Sequence, residues 1–225
     1  MFRIDDNKKL NYYVNKYKIT EIFSNNMLPH MEIHHFKKNV YICLSGEDVR
    51  YLYFFVEGKS KVYITTPNGK SLLIRFYSPV QIVGEIEILN KSTIECNIQA
   101  IKECTCIAIP RKEIEEKCLK DPKFLYYIST HLSLKLSSAS LSSSVNMLYP
   151  LENRLASYIL ATYTNEYSNS TENLTQISEF LGSSYRHLLR VLNKLESEGI
   201  IKRNNKKLII LDKDRLEELA GDLYQ

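Results

Sequence analysis

Arg186, Arg190 and Asn193 stand four and three residues apart in GSSYRHLLRVLNKLESEG, the run from Gly182 to Gly199. In the DNA major groove an arginine can pair bidentately with guanine, and an asparagine with adenine. On a helix that spacing brings all three groups to one face. The remaining residues of the run supply the helix. Leu188, Val191, Leu192 and Leu195 recur at i, i+3, i+4 and i+7, which draws one apolar stripe opposite the polar one. Taken alone, such a face reads as a solvated surface, and it is its neighbours that shift the reading towards DNA.

Upstream, Leu174, Ile177 and Leu181 form a short second stripe that ends at Gly182. Helix, tight turn and helix is the sequence form of a helix-turn-helix. Gly182 can take the positive φ of the turn, and Ser183 or Ser184 can cap the second helix, whose exposed N-terminus favours a phosphate. Downstream, IIKRNNKKLIIL reads as two short strands around Asn204-Asn205, a wing. Between 183 and 211 there are seven basic residues and two acidic ones, the electrostatic footprint of a nucleic-acid site. Arg186 and Arg190 are the expected base readers. Tyr185 at the helix entry is expected on a base, on the backbone or against a thymine methyl. Ser184, His187 and Lys194 on the helix and Arg203, Lys206 and Lys207 on the wing are expected to meet phosphates, which set register without reading sequence.

The elements that must position these residues fill the rest of the 225-residue chain, long enough for two modest domains. A net charge of +4 is too small to argue for DNA by itself, so the clustering carries that argument. The start, MFRIDDNKKL, has no apolar signal region, and no apolar run approaches the length of a membrane span. Five cysteines at 43, 96, 104, 106 and 118 form no CxxC pair, which fits reduced thiols in a cytoplasm. Cys104 and Cys106 would face one side of a strand as small buried hydrophobes, whereas His34 and His35 would point to opposite faces. No metal site and no cofactor is expected. P-loop, GxSxG and HExxH motifs are absent from the sequence, which argues against an enzyme.

Residues 1–120 carry short runs rich in Tyr, Ile, Phe and Val between turn signals: VYICL, LYFFV, KVYIT, LLIRFY, ECNIQAI and CIAI. Asn68-Gly69 between two of them is a strong hairpin signal. The pattern implies a β-roll or jelly roll, preceded by an amphipathic helix over 7–25. Asp121-Pro122 then opens a helix that meets no breaker before Pro150. Leu134, Leu141 and Leu148 repeat every seven residues, as do Leu125, Leu132 and Ala139, which predicts a dimer seam over 121–149. Packing on the chain's own barrel would explain one of these stripes, less easily both. Pro150 is the expected hinge into a winged helix-turn-helix over 150–225. The fold class expected is therefore α+β.

A β-roll, a long helix and a winged helix-turn-helix, in that order, resemble the Crp/Fnr family of bacterial transcription regulators. The resemblance spans nearly the whole chain and rests on Ser45-Gly46-Glu47, Val56-Glu57-Gly58, Asn68-Gly69-Lys70, Ile82-Val83-Gly84-Glu85, Asp121-Pro122, Arg154, Leu181-Gly182-x-Ser184 and Arg190. The SYRHLLRVL helix is most similar to the YeiL-type branch. The resemblance implies a cyclic-nucleotide-binding-like β-roll and a cytoplasmic homodimer. It further implies a palindromic site in double-stranded DNA and RNA polymerase as a further partner. In cyclic-AMP-binding members a Gly-Glu pair opens a phosphate cassette, here Gly84 and Glu85, and an Arg-Ser pair about ten residues on grips the phosphate. That pair falls here on Ile94 and Glu95, which offer no cation to an anion. The adenine-reading position of the dimer helix falls on Ala139 and Ser140. Cyclic AMP and cyclic GMP are therefore not expected as effectors. The iron–sulfur option of Fnr-type members needs an N-terminal cysteine cluster, and no cysteine precedes Cys43. A second reading stays open, a ligand-binding or interaction module whose winged helix contacts protein, although the basic patch argues for DNA.

Overall fold

The computed structural model describes residues 1–163, 173–204, 207–221 and 223, the side chains of 141–147 and 207 excepted. Lys206 and the side chains of Leu141 and Lys207 thus lie outside the described residues. The chain forms two compact units, residues 1–62 with 77–138, and residues 63–76 with 139–225.

The first unit is built on a five-stranded antiparallel sheet. Its strands are β1 (Phe2–Ile4), β2 (Glu32–Phe36), β4 (Tyr51–Glu57), β7 (Gln81–Val83) and β9 (Cys104–Pro110), in the order β1-β2-β9-β4-β7. A second sheet of order β3-β8-β5-β6 contains β3 (Tyr41–Cys43), β5 (Ser60–Thr65), β6 (Ser71–Tyr77) and β8 (Asn97–Ala100). The expected β-roll is thus present, and each apolar run named above contributes a strand. β4 is buried on both faces from Leu52 to Val56. One reason is that Phe23 meets Phe54 edge-on at 6.4 Å and stacks on Phe124 at 5.4 Å, so the outer side of the strand is covered too. At the β5–β6 turn the Thr66 amide donates to the Lys70 carbonyl at 2.8 Å, closing the Asn-Gly hairpin.

The N-terminal helix is shorter than expected. α1 (Asn7–Lys16) stops where Lys18 enters the left-handed region at φ 52°, and a 3₁₀ turn over Ile19–Ile22 follows. The break delivers Ile19 and Ile22 to the core, a packing gain that apolar spacing within one helix does not reveal. α2 (Glu85–Asn90) and α3 (Arg111–Lys117) are short.

α4 (Pro122–Leu148) is the expected long helix. The Asp121 carboxylate accepts from the Lys123 amide at 3.0 Å and from the Ser24 hydroxyl and amide at 2.6 Å each, so it ties the helix start to the N-terminal segment. Phe124 and Ile128 are buried, with Tyr127, His131 and Lys135 continuing that stripe half-buried. Leu134 and Leu148 of the expected seam are 61% and 77% exposed, with Tyr126 and Leu136 exposed as well. Leu125, Leu132 and Ala139 are half-buried. The units do not follow the chain-order division at 120 and 150. α4 passes from the first to the second after Ser138, and the hairpin tip 63–76 groups with the C-terminal unit.

The second unit contains α5 (Leu151–Thr162), α6 (Leu174–Phe180), α7 (Tyr185–Ser197), β10 (Ile201–Asn204), β11 (Lys207–Ile210) and α8 (Lys213–Ala220). β10 and β11 form the antiparallel wing, with Asn204 opposite Lys207. Tyr63 meets Phe180 at 5.1 Å and Phe76 meets Tyr158 at 6.1 Å, which fastens the hairpin tip to the helices of this unit. Among the described residues no helix is long and apolar enough to cross a membrane.

Candidate nucleic-acid interface

The helix-turn-helix begins with a reciprocal cap. The Asn173 side chain accepts from the Gln176 amide at 2.9 Å while the Gln176 side chain accepts from the Asn173 amide at 3.0 Å. This Asn-x-x-Gln capping box is a local signature, legible in the sequence. α6 ends at Phe180, and Gly182 turns the chain at φ +56°. Its amide donates to the Glu179 carbonyl at 2.9 Å, and the Ser183 amide to the Ser178 carbonyl at 2.8 Å. A guanidinium fixes the turn from behind. Arg154 of α5, buried, donates to the Leu181 carbonyl and, through Nε, to the Tyr149 carbonyl at 3.2 Å. Spacing could not pair Arg154 with a carbonyl 27 residues away.

Of the two serines it is Ser184 that caps α7, its hydroxyl accepting from the His187 amide at 3.2 Å. Leu188, Leu192 and Leu195 are buried and Val191 half-buried, so the stripe packs inward as expected. Tyr185, Arg186, His187, Arg190, Asn193 and Lys194 are exposed. The helix thus offers two guanidinium groups one turn apart, close to a capped N-terminus whose amides and dipole favour an anion.

Two of the expected phosphate contacts have carboxylate partners inside the unit. Arg203 donates from Nη2 and Nε to one Glu196 oxygen at 2.7 and 3.0 Å, donates from its own amide to the other at 2.8 Å, and donates from Nη2 to the Asn193 side-chain oxygen as well. Hydrogen bonds from the Arg203 amide and guanidinium hold the Glu196 carboxyl below its ordinary range. Lys194 meets Glu152 of α5 at 2.7 Å and Glu198 at 3.8 Å. Both cations brace the recognition helix, one against the wing and one against α5.

The effector candidates fall into separate settings. Gly84 adopts φ +96°, and a Cβ there would stand 2.8 Å from the Tyr51 carbonyl oxygen, so the position demands glycine. Glu85 follows it as the first residue of α2 and is 2% exposed. Its Oε1 lies 2.6 Å from Nζ of Lys135 on α4, a partner that sequence reasoning missed. Ile94 is buried and paired through its backbone with Gly46 and Glu47, and Glu95 is exposed. Ala139 is half-buried and Ser140 exposed, both in the second unit. A cavity of about 340 Å³ in the first unit is lined by Phe36, Tyr51, Tyr53 and Ile94, with Asp48 and Arg50 among its polar groups. Neither Gly84 nor Glu85 lines it. Among the described residues no three His, Cys, Asp or Glu side chains gather as metal ligands would.

Comparisons with known proteins agree with this geometry. Residues 33–121 match the cyclic nucleotide-binding domain, and residues 153–219 the Crp-like helix-turn-helix domain. The chain is 34% identical to the regulatory protein YeiL of Escherichia coli O157:H7 over 189 residues, covering 84% of this chain and 85% of that one. It is 21% identical to the cAMP-activated global transcriptional regulator CRP of Pasteurella multocida, covering 81% and 91%. A Crp/Fnr-family structure from Eubacterium rectale superposes with a TM-score of 0.71 at 21% identity, covering 93% of this chain and 99% of that one. With a β-roll ahead of a winged helix-turn-helix whose recognition helix exposes two arginines, the chain belongs to the Crp/Fnr family of DNA-binding transcription regulators.

Proposed function

We propose that this regulator works in the cytoplasm as a homodimer on a palindromic DNA site, passes its effect to RNA polymerase, and needs no cyclic nucleotide. The exposed pair Arg186 and Arg190 carries the reading, because it stands opposite a buried leucine stripe just after a capped helix N-terminus. Each arginine reads a guanine, and Tyr185 contacts base or backbone at the groove entry. Ser184 and His187 at the helix start, with Lys206 and Lys207 of the wing, meet phosphates. Lys194 and Arg203 chiefly hold the helix in place.

The seam is Leu125, Leu132, Leu134, Ala139, Leu141 and Leu148 of α4, supported by the exposed leucines at 134 and 148. A second copy would cover them and set two copies of α7 about 34 Å apart, one turn of duplex. Ile94 and Glu95 leave a cyclic phosphate at the Gly84–Glu85 cassette without an arginine, which supports an effector other than a cyclic nucleotide or none. Selection of bound duplexes from random DNA tests the reading. An inverted repeat with guanines in each half is the expected result; enrichment of unrepeated sites, or of none, would overturn it.

A further inference from the structure

Glu85, buried, and Lys135, half-buried, form an ion pair between the cassette and the long helix, 50 residues apart in the chain. The Lys135 ammonium donates to Glu85 Oε1 at 2.6 Å and to the Ile82 carbonyl at 2.7 Å, and lies 5.5 Å from the centre of the Tyr77 ring. Among the described residues Glu85 Oε2 accepts no hydrogen bond, so Lys135 supplies what the carboxylate receives there. Burial opposes the charge on Lys135, but Tyr77 and Glu85 outweigh it and raise its pKa.

The surrounding groups do not compete for this role. Burial raises Glu87, pushes Cys43 and Tyr127 up to about 12, and lowers His131, with Lys135 adding to that last effect. Among these groups the contact between opposite charges is the Glu85–Lys135 pair, at 2.6 Å.

We propose that Lys135 is a resident counter-ion at the effector cassette. It pins α4 in the rotation that a DNA-binding dimer needs and so replaces a small-molecule activator. This rests on the reading of the chain as a DNA-binding dimer. A buried ion pair contributes little stability over an apolar pair of similar volume, but its directed partners can specify one register. An ammonium held by a carboxylate, a carbonyl and a ring face permits one rotation of α4 about its axis. That rotation decides whether Leu125, Leu132 and Leu134 of the seam face a second copy. A ligand seeking Glu85 as its acceptor would first have to displace the ammonium, so the same lysine accounts for indifference to cyclic nucleotides.

The test compares the wild-type chain with Lys135→Met/Glu85→Gln, which removes both charges and leaves no uncompensated ion in the core. Affinity for the selected palindrome is measured without any small molecule, alongside melting and oligomeric state. We expect tight binding by the wild type, unchanged by millimolar cyclic AMP, and binding at least ten-fold weaker by a double variant that still folds. Equal affinity overturns the counter-ion role while leaving the DNA-binding reading intact. A wild-type chain that binds no DNA overturns both. Should the double variant fail to fold, Glu85→Gln alone is read, since it keeps the shape and removes the negative charge. A loss of three-fold or more is expected there, and no loss overturns the proposal.

Discussion

Arg203 of the wing grips Glu196 of the recognition helix with two nitrogens, at 2.7 and 3.0 Å, and caps the grip with its own amide at 2.8 Å. The wing is therefore fastened to the helix that it flanks. Arg203→Ala should loosen that attachment. Because both side chains are partly exposed, the ion pair itself contributes no more than about 1 kcal/mol to stability. Binding should weaken by a similar factor on matched and mismatched sites, since no base contact is lost. A change confined to one base position would assign Arg203 to direct readout.

The same pair predicts an acid limb. The Glu196 carboxyl titrates below its ordinary 4.5, because the Arg203 amide and guanidinium favour its charged form. Its contribution is complete above the unfolded value and is lost as pH falls through the lowered folded value. Melting temperature measured from pH 7 to pH 3 should fall less steeply for Glu196→Gln than for the wild type. Parallel curves would show that other carboxylates govern the limb.

Arg190→Ala should relax preference at a single position in each half-site, at a cost of about 1–3 kcal/mol against the preferred base. Binding measured over a panel of single-base variants checks this. Uniform weakening, with a salt slope lower by about one, would make Arg190 a phosphate contact instead.

Leu134 is 61% exposed on α4. Leu134→Glu should leave the chain folded but monomeric, because it places an unpaired charge at a two-fold seam. Light scattering gives the mass, and affinity for the palindrome should fall with it. A monomer that keeps full affinity would remove α4 from the interface.

Calorimetry with cyclic AMP and cyclic GMP at millimolar concentration should show no saturable heat. Ile94 is buried and Glu95 exposed, and neither supplies a cation to a phosphate. Micromolar binding that also changes DNA affinity would mean that another cation reaches the cassette.

What the sequence determined by itself is local. The stripe Leu188, Leu192 and Leu195, the turn at Gly182, the Asn68-Gly69 hairpin and the helix start at Asp121-Pro122 are periodicities and punctuation carried by neighbouring residues, so they are legible without a partner. Tertiary structure decided whatever needed a second, distant group. It stopped α1 at Lys16, because burying Ile19 and Ile22 outweighed continuing the helix. It directed Arg154 to the Leu181 carbonyl and Lys194 to Glu152, and turned Arg203 towards Glu196 seven residues away, across the turn from helix to wing. It brought Lys135 to Glu85 across 50 residues. A charged side chain carries no periodic mark of its partner. Its role is set by the nearest opposite charge or hydrogen-bond acceptor in space, and only the packed chain brings that group within reach.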